Sequence, residues 1–207
     1  MTFYITETYP AIYNHLISFA DEKGKGKGLF KRDDKGDYWW ELRDCSYYSE
    51  FEKEKIVWQE MSNKPSFCLD INKLYTNQTA YIATGKNLKY ITACLNSKIA
   101  YFYLKQIAYS LSENANRWIK QYVEKIPIPS INSQNQHIVN MLENLVNKIL
   151  SLTQINTPIP ACDSDTDKNV CATVKEYERQ IDRLVYRLYG LTDEEIRIVE
   201  GFEKNKL

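Results

Sequence analysis

Residues 55–108 read KIVWQEMSNKPSFCLDINKLYTNQTAYIATGKNLKYITACLNSKIAYFYLKQIA, and a change of texture inside this stretch decides the fold class. Its first half holds short β-prone runs, KIVWQEM, SFCLDI and TAYIAT, parted by Asn, Lys, Pro and Asp clusters that favour turns. From Leu88 the pattern shifts. Apolar side chains at 88, 91, 94, 95, 99, 102 and 103 repeat as one face of a helix, which predicts a single long helix over Leu88–Ala108.

Working outward toward the N-terminus, YWWELR from Tyr38 reads as a further strand. Upstream of it, DEKGKGKGLFKRDDKGDY (21–38) combines turn formers with six Lys/Arg and reads as an exposed, mobile loop. Pro10 followed by Ala11, Ile12, Leu16, Ile17 and Ala20 predicts a short helix over about 10–21, with Pro where a first turn tolerates it.

Toward the C-terminus, Ile126-Pro127-Ile128-Pro129 can continue neither a helix nor an inner strand and marks a domain exit. Beyond it, Ile138, Leu142, Leu145, Val146, Ile149 and Leu152 form one apolar stripe. Val174, Tyr177, Ile181, Leu184, Val185, Leu188 and Tyr189 form another. A Thr/Pro/Asp-rich linker over about 153–172 lets the two helices fold back antiparallel. Gly190 stands where a C-cap belongs, and Thr192-Asp193-Glu194-Glu195 reads as a capping box that opens a last helix through Val199.

The expected fold is therefore α+β. A small mixed sheet with packed helices occupies 1–131, and an antiparallel helical arm occupies 132–207.

The 207 residues are 43% hydrophobic and 26% charged, which excludes a disordered or collagenous chain. The 27 basic and 27 acidic side chains cancel, but unevenly: residues 1–130 hold 18 Lys/Arg against 15 Asp/Glu, and residues 131–207 hold 9 against 12. Within 86–125 seven Lys/Arg face only Glu113 and Glu124, interleaved with Tyr and Trp118. Phosphate binding needs such clustering. Five cysteines without a C-x-x-C pair predict reduced thiols, with neither a zinc knuckle nor a disulfide framework. The first residues lack a signal-peptide pattern and no apolar run is long enough to span a bilayer, so a cytoplasmic protein without membrane contact is expected.

Catalytic constellations are scarce. His15 and His137 are the only histidines, so a His-based triad or a multi-His metal site has little to work with. No Gly-rich phosphate loop or G-x-S-x-G elbow occurs. An adenine-methylating site would need a cofactor loop and an Asn-Pro-Pro-aromatic motif, and neither is in this sequence. Asp21-x-Lys23 and Asp33-x-Lys35 are similar to half of a metal-dependent nuclease site, but tripeptides of this kind are abundant by chance.

YWWELRD (38–44), KIVWQEMSNKPSFCLD (55–70), ACLNSKIAYFYLK (93–105) and YVEKIPIPSI (122–131) together resemble the TaqI-like C-terminal specificity domain, the target-recognition part of combined restriction and adenine-specific methyltransferase proteins. PAIYNHL and the basic Arg32-Asp33-Asp34-Lys35-Gly36 precede these in the same order. IDRLVYRLYGLTDEEIRIVEG (181–201) resembles the tail usual in that family.

The resemblance implies a double-stranded DNA reader that does not catalyse by itself. It also implies an N-terminal methyltransferase or nuclease–methyltransferase portion, in cis or in trans. S-adenosylmethionine and Mg²⁺ would belong to that portion, with no cofactor or metal in this chain. Under that reading Lys31, Arg32, Lys35, Lys86, Lys89 and Lys120 are the candidates for phosphate contacts. Arg43, Gln59, Asn63, Asn77, Asn116 and Arg117 are the candidates for base edges. Trp39, Trp40 and Trp58 read as core or sheet-face aromatics, and Leu95, Asn96 and Ser97 as helix capping or packing.

The helical arm would pack on the enzyme portion, or form a homodimer contact. Two other function classes compete with DNA reading. One is a protein–protein scaffold of a bacterial defence complex, and the other is a Mg²⁺-dependent nuclease using Asp21, Asp33 or Asp34.

Overall fold

A computed structural model describes residues 5–21, 28–33, 35–41, 46–112, 115–153 and 165–204. The chain divides into two compact units, 1–49 and 50–207.

In the first unit, α1 (Ile5–Thr8) and α2 (Pro10–Ile17) are followed by a reversal in which Leu29 N–H and Phe30 N–H donate to the carbonyls of Phe19 and Ala20, at 3.0 Å each. Gly28 is required there. Its φ is +66°, and a Cβ would come 2.5 Å from the Ala20 carbonyl oxygen. Tyr38–Glu41 form turns and bends where a strand was expected. Trp39 meets Phe30 edge-on at 4.7 Å and Tyr13 at 6.1 Å, while Trp40 stacks on Tyr38 at 4.6 Å. The aromatic pair is used to close a loop, not to pair with a neighbouring strand. The Lys/Gly run before Gly28, Lys23 to Lys27, lies outside the described residues.

The short helix α3 (Tyr48–Phe51) leads into the second unit. There β1 (Lys55–Gln59) is the middle strand of an antiparallel sheet, between β3 (Phe67–Asp70) and β4 (Ala80–Thr84). The runs KIVWQ, FCLD and AYIAT thus form the strands their β-branched and aromatic content predicts. After Glu60 the chain re-enters a second antiparallel sheet of order β2 (Met61–Ser62), β6 (Ala115–Arg117), β5 (Ser110–Ser112). The fold is α+β, and every described strand pairing is antiparallel.

The expected long helix over 88–108 is two helices, α4 (Leu88–Leu95) and α5 (Lys98–Ile107). The break is chemical. Asn96 clasps the β3 backbone, accepting from Phe67 N–H at 3.0 Å and donating to the Phe67 carbonyl at 2.7 Å. Ser97 then N-caps α5, and Asp182 from a distant helix accepts from Lys98 N–H at 2.8 Å.

Helix α6 (Lys120–Val123) precedes the Ile-Pro-Ile-Pro segment. That segment is anchored. Ile126 is buried, and the Tyr90 hydroxyl donates to the Pro129 carbonyl at 2.7 Å.

Helices α7 (Gln136–Thr153) and α8 (Asp165–Tyr189) are antiparallel: Lys148 lies over the Tyr177 ring at 5.5 Å, and Met141 shares a groove with Leu184 and Arg187. Helix α8 begins inside the stretch expected to be linker, and 154–164 lie outside the described residues. The expected boundary near 131 is not where the compact units divide. Val139, Leu142 and Val185 are buried in the same core as Ile56, Trp58, Leu69 and Leu95, because α4 carries apolar side chains toward both the sheet and α7.

Gly190 (φ +68°) ends α8, with Leu191 N–H donating to the Tyr186 carbonyl at 3.0 Å. The Thr192–Glu195 capping box opens α9 (Asp193–Lys204) through reciprocal bonds of 2.8 and 3.3 Å. Cys94 is fully buried and its thiol is pushed up to about 12 by burial. Cys68 is free and exposed, whereas Cys171 is disulfide-bonded, a departure from five reduced thiols. Among the described residues no helix is long and apolar enough to cross a membrane.

Candidate nucleic-acid interface

Five of the six proposed base readers lie around the passage from β1 to β2. Gln59 ends β1, is exposed and pairs in register with Ala80. Asn77 is exposed in the turn before β4, where its Oδ1 accepts from Thr79 N–H at 3.1 Å and from Thr79 Oγ1–H at 2.6 Å. Asn63 is exposed just past β2, and its carbonyl accepts from Asn116. Met61 and Ser62 pair with Arg117 and Asn116, which brings the β6 residues alongside.

The second sheet positions these residues for a physical reason. Trp118 is wholly buried and ties both ends of the crossing: its N–H donates to the Glu60 carbonyl at 2.7 Å, and its own carbonyl accepts from the Trp58 indole at 2.7 Å. The β1–β2 corner and β6 therefore share one rigid hub.

Asn116 and Arg117 differ in what they can offer. Asn116 is 1% exposed, with its Oδ1 accepting from Lys105 at 2.7 Å and its Nδ2 donating to the Asn63 carbonyl at 3.1 Å. Its amide edge is used inside the protein, so it braces the corner and does not face solvent. Arg117 reaches outward, its side chain 46% exposed, and is held by Glu60. Nε donates to Glu60 Oε1 at 3.0 Å and Nη2 donates to the same oxygen. That hydrogen bond raises the guanidinium pKa further, so its charge is permanent. Glu60 is the one residue at this corner that sequence reasoning missed. Its partner lies 57 positions away, and no local pattern marks it.

The phosphate candidates are dispersed. Lys86 and Lys89 follow β4, at the Lys55 end of the sheet, whereas Gln59 and Arg117 mark the other end, about 13 Å away for a five-residue strand. Lys86 is exposed and Lys89 half-buried on α4, while Lys120 is exposed at the start of α6.

Lys31, Arg32 and Lys35 belong to the first unit. There Arg32 donates to the Glu41 carbonyl, and Lys35 donates to the Phe30 carbonyl at 2.9 Å. Both cations brace loop carbonyls. Arg43 lies outside the described residues. Asp34, one of the three nuclease candidates, does so too; Asp21 and Asp33 are exposed, and among the described residues no group of three His, Cys, Asp or Glu is placed to hold a metal.

One charged pair in the second unit is closed to any ligand. Lys55, wholly buried, donates to Asp70 at 2.6 Å and to the Phe51 carbonyl at 2.8 Å. Burial works to raise the Asp70 pKa. The Lys55 hydrogen bond and the amides of Asn72 and Leu74 outweigh it, and the carboxyl sits below its ordinary value.

The sequence profile of the TaqI-like C-terminal specificity domain matches residues 6–128, which takes in both sheets, α4, α5 and all twelve candidate residues. The chain belongs to this family. Membership supports a DNA target-recognition role in restriction–modification systems and association with a methyltransferase portion. The match ends within Ile-Pro-Ile-Pro, so helices α7 to α9 lie beyond the part recognised as a TaqI-like domain. A comparison with curated proteins found no match.

Proposed function

We propose that this chain is the double-stranded DNA-reading module of a restriction–modification enzyme, non-catalytic by itself, which positions an adenine methyltransferase or endonuclease portion. The observation that carries the reading is the family match over 6–128. The corner at Gln59, Asn63, Asn77 and Arg117 supports it, because amide and guanidinium groups suit base edges.

Exposed Lys86 and Lys120 and half-buried Lys89 are the phosphate-contact candidates of the second unit, and Lys31, Arg32 and Lys35 are those of the first. S-adenosylmethionine and Mg²⁺ belong to the enzyme portion. The α7–α8 pair carries an open groove of about 340 Å³ lined by Met141, Leu145, Lys148, Arg183, Leu184 and Arg187, which suits docking of that portion.

Equilibrium binding to labelled duplex DNA tests the reading. Each neutralised phosphate contributes a slope of about −0.9 in log affinity against log salt. Affinity is expected to fall steeply between about 50 and 200 mM salt, and joint substitution of Lys86 and Lys89 by Ala is expected to flatten the slope by about 2 while weakening all sequences alike. Salt-independent binding would contradict it and favour a protein scaffold.

A further inference from the structure

Glu60 and Arg117 form a partly exposed ion pair, with 20% of the Glu60 and 46% of the Arg117 side chain open to solvent, a class of contact that contributes little to stability. Its geometry is nonetheless fixed from both sides, by the Met61–Arg117 register and by the Trp118 N–H bond to the Glu60 carbonyl. Both contacts from Arg117 fall on a single oxygen, Oε1. This side-on arrangement uses Nε and one hydrogen of Nη2. The end edge of the guanidinium, Nη1 with the second Nη2 hydrogen, keeps a two-donor fork. Glu60 Oε2 keeps its lone pairs. Among the described residues neither group has a further hydrogen-bond partner. Tyr81 and Tyr122 lie within electrostatic range of the guanidinium, and the Tyr81 ring stacks on Trp58 at 5.4 Å.

We propose that Glu60 is a specificity-determining residue, which aims the Arg117 fork at a guanine and itself accepts a hydrogen bond from a cytosine amino group beside it. The inference rests on the DNA-reading function proposed above. The chemistry is complementary at both points. Guanine presents O6 and N7 as a pair of acceptors that matches the fork, and cytosine N4–H₂ is a donor that a carboxylate oxygen accepts. A carboxylate at this corner also repels phosphate, so sequences that offer only backbone to Arg117 gain less. Glu60 therefore raises the contrast between right and wrong sites in two ways.

The test is binding-site selection from a randomised duplex pool by the full chain and by Glu60→Gln and Arg117→Lys variants, with far-UV circular dichroism as the check on folding. Glu60→Gln retains an oxygen to hold Arg117 but can set an amide donor where the second carboxylate oxygen stood. It is expected to keep the guanine preference and to lose about tenfold or more of the discrimination for cytosine at one position. Arg117→Lys is expected to lose the guanine preference instead, and Glu60→Asp to retain part of the cytosine preference. If the native chain selects a sequence and folded Glu60→Gln selects the same sequence with unchanged contrast, the role assigned to Glu60 is overturned while DNA reading stands. If the native chain selects no sequence at all, DNA reading itself fails and takes this inference with it.

Discussion

Lys55 carries its charge with no exposure to solvent, and Asp70 opposite it in register is nearly as enclosed. Two buried ions stabilise a fold only when they satisfy each other, and removing one leaves the other stranded. Lys55→Ala is therefore expected to lower the unfolding free energy by about 3–5 kcal/mol, measured by urea denaturation. A Lys55→Met, Asp70→Leu double variant should recover most of that loss. The pH dependence follows from the same pair. The folded Asp70 pKa lies below its ordinary 3.8, so its contribution is present above that value and is lost as pH falls through the folded value. Melting temperature in the native chain should drop across that acid range more steeply than in the double variant. At this scale the sequence was silent about roles: nothing in KIVWQEM marks Lys55 as buried, and Asn116 looked as capable of reading bases as Arg117. Only tertiary placement separates the buried brace from the exposed fork.

The α4–α5 junction shows what a periodic pattern can and cannot tell. The apolar repeat runs across Asn96 and Ser97 without losing phase, and no Gly or Pro interrupts it. The chain still breaks there because the Asn96 amide pairs with the backbone of β3 and Ser97 caps the next turn. A polar side chain that bonds a remote backbone leaves no periodic trace. Asn96→Ala is expected to cost about 1–3 kcal/mol, since it strands the Phe67 amide and carbonyl, and Ser97→Ala about 1 kcal/mol. Amide hydrogen exchange locates both effects: the first should loosen β3 and the second the start of α5. Strong local signals fared better. The three β-prone runs, the Gly190 stop and the Thr192–Glu195 box all stand where their own chemistry put them, because each depends on neighbours close in sequence. Tyr38–Glu41, the described part of YWWELR, failed as a strand because its aromatics found one another and Phe30 inside a tight loop.

Across the molecule, the helices past Pro129 are part of the fold of the second unit. Leu142 has no exposure, and its helix packs against α4, which packs against β1 and β3 in turn. Leu142→Ala is expected to destabilise by about 2–5 kcal/mol. Hydrogen exchange should show β1 amides losing protection together with those of α7. Unchanged protection in β1 would instead mean that the helices fold as an independent arm. This joint core gives the corner at Gln59, Asn63, Asn77 and Arg117 a rigid support, which is what the proposed DNA-reading role requires. The gathering of Gln59, Asn63, Asn77 and Arg117 at one corner was not legible from their spacing, since it depends on the turn of the chain at Glu60 and on the return of β6. The most direct measurement is the affinity ratio between the duplex enriched from a random pool and a scrambled duplex of equal length, at physiological salt. A DNA-reading module predicts a ratio of about 10³ or more, and a ratio near one contradicts the account.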